Sequence, residues 1–120
     1  MEVQPKLFFI TLAVGDLDRS VAFYRDGLGW ELQTDGSYVA GLAFGSGYLV
    51  VSQDERPADQ RSYAGGQEIA VKVDDLDAQH ARITRNGASP SPIVARPWGE
   101  RNFTFCDPDG YVWCYGQPTG

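Results

Sequence analysis

Apolar residues at Ile10, Leu12 and Val14 alternate with Thr11 and Ala13, the period of a strand covered on one face. About 59 residues further on the alternation returns at Ile69, Val71 and Val73. An Asp-Leu-Asp triplet follows each run, at 16 to 18 and at 75 to 77. Asp16 and Asp75 are placed to stop a strand and cap a helix, and Asp18 and Asp77 suit the positive end of its dipole. Leu17, Val21, Tyr24 and Leu28 then fall at helical spacing, with Leu76, His80 and Ile83 in the matching places of the second copy. Gly27 and Gly87 are expected to end the two helices.

Each helix is followed by short, Gly-punctuated runs rich in aromatic and β-branched residues. They are Trp30 to Gln33, Ser37 to Phe44 and Tyr48 to Ser52, then Ser91 to Ala95, Asn102 to Cys106 and Tyr111 to Gly116. These read as strands. Asp107-Pro-Asp-Gly110 is a turn signal, since Pro sets φ and Gly supplies a positive φ. Self-similarity at a fixed period means that one supersecondary unit is used twice. The unit is strand, helix, strand, strand, strand. The expected fold class is α+β: two tandem βαβββ units forming curved, mostly antiparallel sheets with helices on the outside. Unit one spans about 5–53, a linker about 54–66 and unit two about 67–117 of one domain of 120 residues.

Parity divides the strands between two surroundings. With Ile10, Leu12 and Val14 facing a helix, Phe9, Thr11 and Ala13 face the other way, as do Glu68, Ala70 and Lys72 in the second copy. Lys72, two residues from Glu68, is its natural partner.

Net charge of -6 argues against nucleic acid as a partner, because phosphate binding needs a basic face, and favours a cationic ligand. The absence of a long apolar run argues against a membrane location and makes the cytoplasm the expected compartment. Cys106 and Cys114 flank the Asp-Pro-Asp-Gly turn. A hairpin closing with 106 opposite 111 would put them on opposite faces, which predicts two free thiols.

The two-unit repeat, the run from Val14 to Trp30, the Pro97-Trp-Gly99 loop and the Asp107-Pro-Asp-Gly-Tyr111 turn together resemble the vicinal oxygen chelate superfamily. That group contains glyoxalases, extradiol dioxygenases, fosfomycin resistance enzymes and bleomycin-binding resistance proteins. The resemblance implies that the sheets curve around a cup. In metal-dependent members His, Glu, Gln or Tyr ligands enter the cup from the first and last strands of each unit. Carried over, those positions fall at Phe9, at Leu49 or with a one-residue shift Val50, at Glu68 and at Cys114. Such a set is no glyoxalase-like metal site, so neither metal nor cofactor is expected. The single histidine, His80, belongs to the second helix and reads as a partly buried or rim residue.

What remains is an aromatic pocket. Candidate ligand-binding residues are Phe9, Tyr38, Phe44, Leu49, Glu68, Trp98, Arg101, Phe103 and Cys114, with no catalytic residue assigned. Flat aromatic walls bind planar heteroaromatic ligands, and a cation over Trp adds to this. A Trp between Pro97 and Gly99 is hard to explain by packing alone. Trp30, Tyr24, Phe23 and Trp113 are most simply core residues. Glu68 is a general base, a cation anchor or a solvated rim residue. The resemblance is strongest to the metal-free bleomycin-resistance branch, implying a homodimer that sequesters a cationic aromatic antibiotic without turnover. The alternative is a glyoxalase- or dioxygenase-like lyase or isomerase acting on a small metabolite.

Overall fold

A computed structural model describes residues 4–63 and 66–119, so residues 64 and 65 of the expected linker lie outside it. Strand β1 (Ile10–Val14) leads into helix α1 (Leu17–Ala22), which continues as a π-helical turn over Phe23–Gly27. Strands β2 (Glu31–Asp35), β3 (Val39–Phe44) and β4 (Gly47–Gln53) complete the first unit. A short 3-10 turn at Ala58–Gln60 lies in the connection. The second unit repeats the order with β5 (Glu68–Lys72), α2 (Leu76–Arg85), β6 (Val94–Arg96), β7 (Glu100–Cys106) and β8 (Val112–Pro118).

The sheets run β1-β4-β3-β2 and β5-β8-β7-β6. In each, the first and last strands of the unit pair in parallel and the other pairs are antiparallel. The helix between the first two strands makes that parallel pairing possible, because such strands need a long crossover. One hydrophobic cluster serves both units. It takes Leu12, Val14, Leu49 and Val51 from the first sheet, Phe103, Phe105, Trp113 and Tyr115 from the second, and Leu17, Tyr24, Leu76 and Ile83 from the helical segments. Trp30, Tyr24 and Trp113 are buried and Phe23 packs against them.

Both helices start as the sequence predicts: the carboxylates of Asp16 and Asp75 accept the amides of Arg19 and Ala78. A second device was not visible in the pattern. Gln53 at the end of β4 accepts the Leu17 amide (2.9 Å) and donates to the Gly15 carbonyl (2.9 Å). Gln117 at the end of β8 accepts the Leu76 amide (3.1 Å) and donates to the Asp74 carbonyl. Each glutamine thus ties the first turn of its helix to the last strand of its own unit.

The helix ends are unequal. Gly87 takes the left-handed conformation after α2 (φ 91°), as expected. Gly27 does not; it closes the π-helical turn, and the positive φ falls on Gly29 (78°) instead. The extra turn brings the Tyr24 hydroxyl to the Asp107 carboxylate (2.5 Å), while Trp113 Nε1 donates to that hydroxyl (3.1 Å). Asp109 accepts the Gly15 amide (3.0 Å) and the Ser20 hydroxyl (3.3 Å), and the Tyr111 hydroxyl donates to the Ala13 carbonyl (2.8 Å). The Asp107–Gly110 turn is therefore also the clasp between the two units. Burial raises the Asp107 carboxyl above the usual range, and burial with the nearby Asp107 charge raises the Tyr24 phenol.

The cysteines are free, but not for the expected reason. Cys106 lies opposite Val112 and Cys114 opposite Thr104, so both side chains belong to one face. They are diagonal neighbours, a relation that spaces Cα atoms by roughly 7–8 Å, beyond the reach of a disulfide.

Candidate functional site

Strand alternation leaves one face of each sheet to the helices and turns the other outward. In the first sheet Thr11, Val50 and Gly41 stand in register on the outward face. In the second, Ala70, Cys114 and Thr104 do so, flanked by Lys72, Gly116 and Asn102. Thr11, Glu68, Ala70 and Lys72 are exposed, while Cys114 and Asn102 are buried.

The second sheet carries the denser chemistry. Glu68 lies beside Cys114, and the thiol is pushed up to about 11, first by burial and then by the Glu68 carboxylate to which it is hydrogen-bonded. The group is thus a neutral thiol at physiological pH. Glu100 was not singled out in the sequence, yet it organises the rim. Its Oε1 accepts both Trp98 Nε1 (2.8 Å) and Asn102 Nδ2 (2.9 Å). The Asn102 carbonyl oxygen accepts from Arg96 Nε (2.9 Å), and the Arg96 guanidinium stands 5.9 Å from the centre of the Trp98 ring. Trp98 is 68% exposed, held by its N–H and by Arg96 rather than by packing. The Glu100 Oε2 lies over Gly116, where an added Cβ would come within 2.8 Å of it. A cavity of about 280 Å³ opens among Ala70, Lys72, Glu100, Cys114 and Gly116. The signal for Glu100 was its place next to the Trp loop, on the strand face shared with Asn102 and Thr104.

Of the sequence candidates, Glu68, Cys114 and Trp98 belong to this arrangement. Phe9 precedes β1 on the outward side, 44% exposed. Tyr38 is an exposed residue in the turn before β3. Phe44 ends β3, stacks on Trp30 (centroids 4.1 Å apart) and lines, with Phe9, Ile69 and Ala70, a cavity of about 260 Å³. Three candidates stand apart from the Trp98 arrangement. Leu49 pairs with Ile10, faces the helices and is fully buried, so Val50 holds the outward position. Phe103 packs against His80 in the core (4.9 Å), leaving the outward positions of β7 to Asn102 and Thr104. Arg101 reaches Asp77 on α2 with both terminal nitrogens (3.2 and 3.1 Å), and this ion pair holds the Asp77 carboxyl below its usual range. Glu68 and Lys72 form no ion pair among the described residues. His80 Nε2 donates to the Ser91 carbonyl (2.9 Å), and the residue is partly buried.

Two repeated units, each with its first and last strands in parallel and its chemistry on the face away from the helices, define a glyoxalase-type fold. The family model described as the Glyoxalase/Bleomycin resistance protein/Dioxygenase superfamily matches residues 6–115. The chain belongs to that superfamily. The uncharacterized protein YaeR of Escherichia coli (strain K12) is 31% identical over 113 residues, covering 84% of this chain and 87% of that protein. TioX from Micromonospora sp. ML1 superimposes with a TM-score of 0.76 at 27% identity, covering 96% of this chain and 98% of that one. A glyoxalase/bleomycin resistance protein from Streptomyces sp. CB03234 does so with a TM-score of 0.73 at 28% identity, covering 91% and 97%.

Some members of the superfamily use a metal, and the residues here do not fit one. The corresponding positions hold Phe9, Val50, Glu68 and Cys114, so two lack donor atoms and the remaining two are bonded to each other as carboxylate and neutral thiol. Among the described residues no group of three His, Cys, Asp or Glu side chains is placed to hold a metal ion. No described helix is long and apolar enough to cross a membrane.

Proposed function

We propose that this protein binds a small organic ligand without a metal and acts by sequestration, the ligand being an aromatic, cationic antibiotic of the bleomycin type. The observation that carries this reading is the outward face of the second sheet. Trp98 is held open at the rim by Glu100, and Glu68 and Glu100 offer two carboxylates, against the single Lys72 ammonium, beside Ala70, Cys114 and Gly116. Such a face offers a ring a stacking partner and a cation two acceptors, while the Cys114 thiol beside Glu68 is held protonated rather than activated as a nucleophile.

The outward faces of both sheets are open in a single chain, which leaves exposed Leu7, Phe8, Phe9 and Val39 uncovered. A homodimer in which unit one of one chain closes over unit two of the other would bury this surface and complete two equivalent cups. The likeness to a Streptomyces protein called a glyoxalase/bleomycin resistance protein supports the ligand class. Acidic net charge supports a cationic ligand, and function inside the cell follows if the drug acts there.

The test is titration of chelator-treated protein with bleomycin-type, mitomycin-type and enediyne-type compounds, followed by tryptophan fluorescence and mass analysis of the recovered ligand. Saturable quenching by about one unaltered ligand per chain is expected if each dimer holds two sites. Trp98→Ala should weaken binding by about 2–4 kcal/mol with little effect on folding. Glu68→Gln should lower affinity for cationic ligands selectively. A chemically changed ligand, or binding that needs added metal, would make the protein a lyase or isomerase and overturn the reading.

A further inference from the structure

Opposite charges share the cavity on the outward face of the second sheet, although the chain as a whole carries a net charge of -6. Glu68, Glu100 and Arg96 all act on the Cys114 thiol, and Lys72 stands on the wall of the same cavity of about 280 Å³. Arg96 is already engaged, by the Asn102 carbonyl oxygen and by one side of the Trp98 ring. Lys72 is not: among the described residues it forms no ion pair with Glu68, Glu100 or any other carboxylate. The Glu100 carboxylate is half engaged. Both its donors, Trp98 and Asn102, meet Oε1, while Oε2 lies over Gly116, 2.8 Å from where a Cβ would stand. Lys72 pairs with Gly116 across the ladder. The Glu100 oxygen over β8 and the Lys72 stem on β5 are therefore one strand apart, with about 4.8 Å between backbones.

We propose that this cavity takes the amino-acid end of its ligand: the ammonium of an aromatic α-amino acid on Glu100 Oε2, its carboxylate on Lys72 and its ring on the open side of Trp98. The inference rests on the reading of this face as the ligand site and adds the group that accompanies the ligand's cation. A simple cation drawn to Glu100 meets the Lys72 ammonium, and a simple anion drawn to Lys72 meets Glu68 and Glu100. A zwitterion answers both. Charge-assisted hydrogen bonds at its two ends also fix its direction across the strands. The Cys114 thiol between them stays neutral and adds no charge of its own. Size agrees, since about 280 Å³ lies just under the roughly 300–1,000 Å³ of a site for a whole drug-sized molecule. Gly116 is the positioning residue, because a methyl group there would drive the Glu100 carboxylate off the floor.

The experiment titrates the full chain by calorimetry at pH 7 with L-phenylalanine, 2-phenylethylamine and 3-phenylpropanoate, which share one skeleton and differ only in charge. The amino acid should bind at least roughly tenfold more tightly than either of the others. Lys72→Met should erase its advantage over the amine, and Glu100→Gln its advantage over the propanoate. Gly116→Ala should copy Glu100→Gln with every charge still present, and its melting temperature shows that the fold holds. Glu100→Asp in the Gly116→Ala background is one methylene shorter and should recover part of the loss. An amine that binds as tightly as the amino acid, or an advantage that survives Lys72→Met, would overturn the proposal and leave the cationic-ligand reading standing. So would no saturation by the amino acid while a bleomycin-type compound binds. If neither binds and Trp98→Ala alters nothing, the face itself is no ligand site and both readings fall.

Discussion

Replacing Tyr24 by Phe removes one oxygen from the middle of the clasp between the units. In the native protein that hydroxyl donates to Asp107 and accepts from Trp113, and the three residues are between 0% and 5% exposed. Loss of a hydrogen bond to a buried carboxylate costs about 1.5–3 kcal/mol, and stranding a buried indole N–H costs about 1–3 kcal/mol more. Together these give about 3–5 kcal/mol, a large share of the roughly 5–15 kcal/mol that stabilises a typical domain. For a chain of this length that lowers the melting temperature by roughly 10–20 °C.

The pH dependence distinguishes this cause from a simple loss of packing. The folded Asp107 carboxyl is raised above its unfolded value, so native stability from this group is greatest below the unfolded pKa and declines as pH rises through the folded one. The Tyr24 hydrogen bond opposes that rise. Tyr24→Phe therefore lifts the Asp107 carboxyl further, and the cost of the substitution grows with pH across that window. Urea unfolding at one fixed protein concentration, followed by circular dichroism between pH 5 and 8, measures both effects. A cost under about 1 kcal/mol, well short of the loss expected for these bonds, would refute the reasoning. So would a cost that is flat with pH or larger on the acid side.

Three further outcomes are expected. Asp54 is clamped by Arg56 at both carboxylate oxygens and by the Tyr63 hydroxyl, which together hold its carboxyl far below the usual range; its stabilisation is present above the unfolded pKa and is lost as pH falls through the folded one. Asp54→Asn should flatten that acid limb in pH-dependent unfolding and speed trypsin cleavage after Arg61. Gln53→Ala and Gln117→Ala should each lower stability by about 1 kcal/mol in denaturant titrations by freeing the first turn of one helix, and two neutral substitutions would remove the latches from the account. A thiol reagent at pH 8 should label one cysteine per native chain, the exposed Cys106, and reach the buried Cys114 only on unfolding, because its thiol stays protonated; rapid labelling of both would contradict the burial of Cys114.

The repeat, both helix caps and the sidedness of β1 and β5 were legible because each is local: alternation, spacing and a capping carboxylate lie within a few residues. The choice between Leu49 and Val50 stayed open because β4 is apolar throughout its middle and its face is decided only by pairing with β1, where a one-residue slip reverses every side chain. The cysteine faces were misread for a related reason, since the hairpin closes at Val112 rather than at Tyr111. Phe103, buried in the core, is a different case. Its alternation with Asn102 and Thr104 already marked it for the apolar side of β7, and an aromatic residue near Trp98 drew the opposite reading. The Gln53 and Gln117 latches, the Arg101 ion pair and the clasp at Asp107 and Asp109 join residues 24 to 94 positions apart, for which local periodicity carries no signal.

Strand alternation also assigns two different tolerances to neighbouring positions. Val71 and Tyr115 support the core, whereas Ala70, Lys72 and Cys114, each one residue away, face outward. A substitution on the outward set leaves the helix-side packing and both glutamine latches in place. The chemistry of that face can therefore change by single steps at 9, 11, 50, 68, 70, 72, 102 and 104 while the scaffold is inherited unchanged. A combinatorial library confined to those positions should yield mostly folded proteins, and one at the alternate positions mostly unfolded ones. This separation gives a physical reason why one scaffold can serve resistance proteins and enzymes alike.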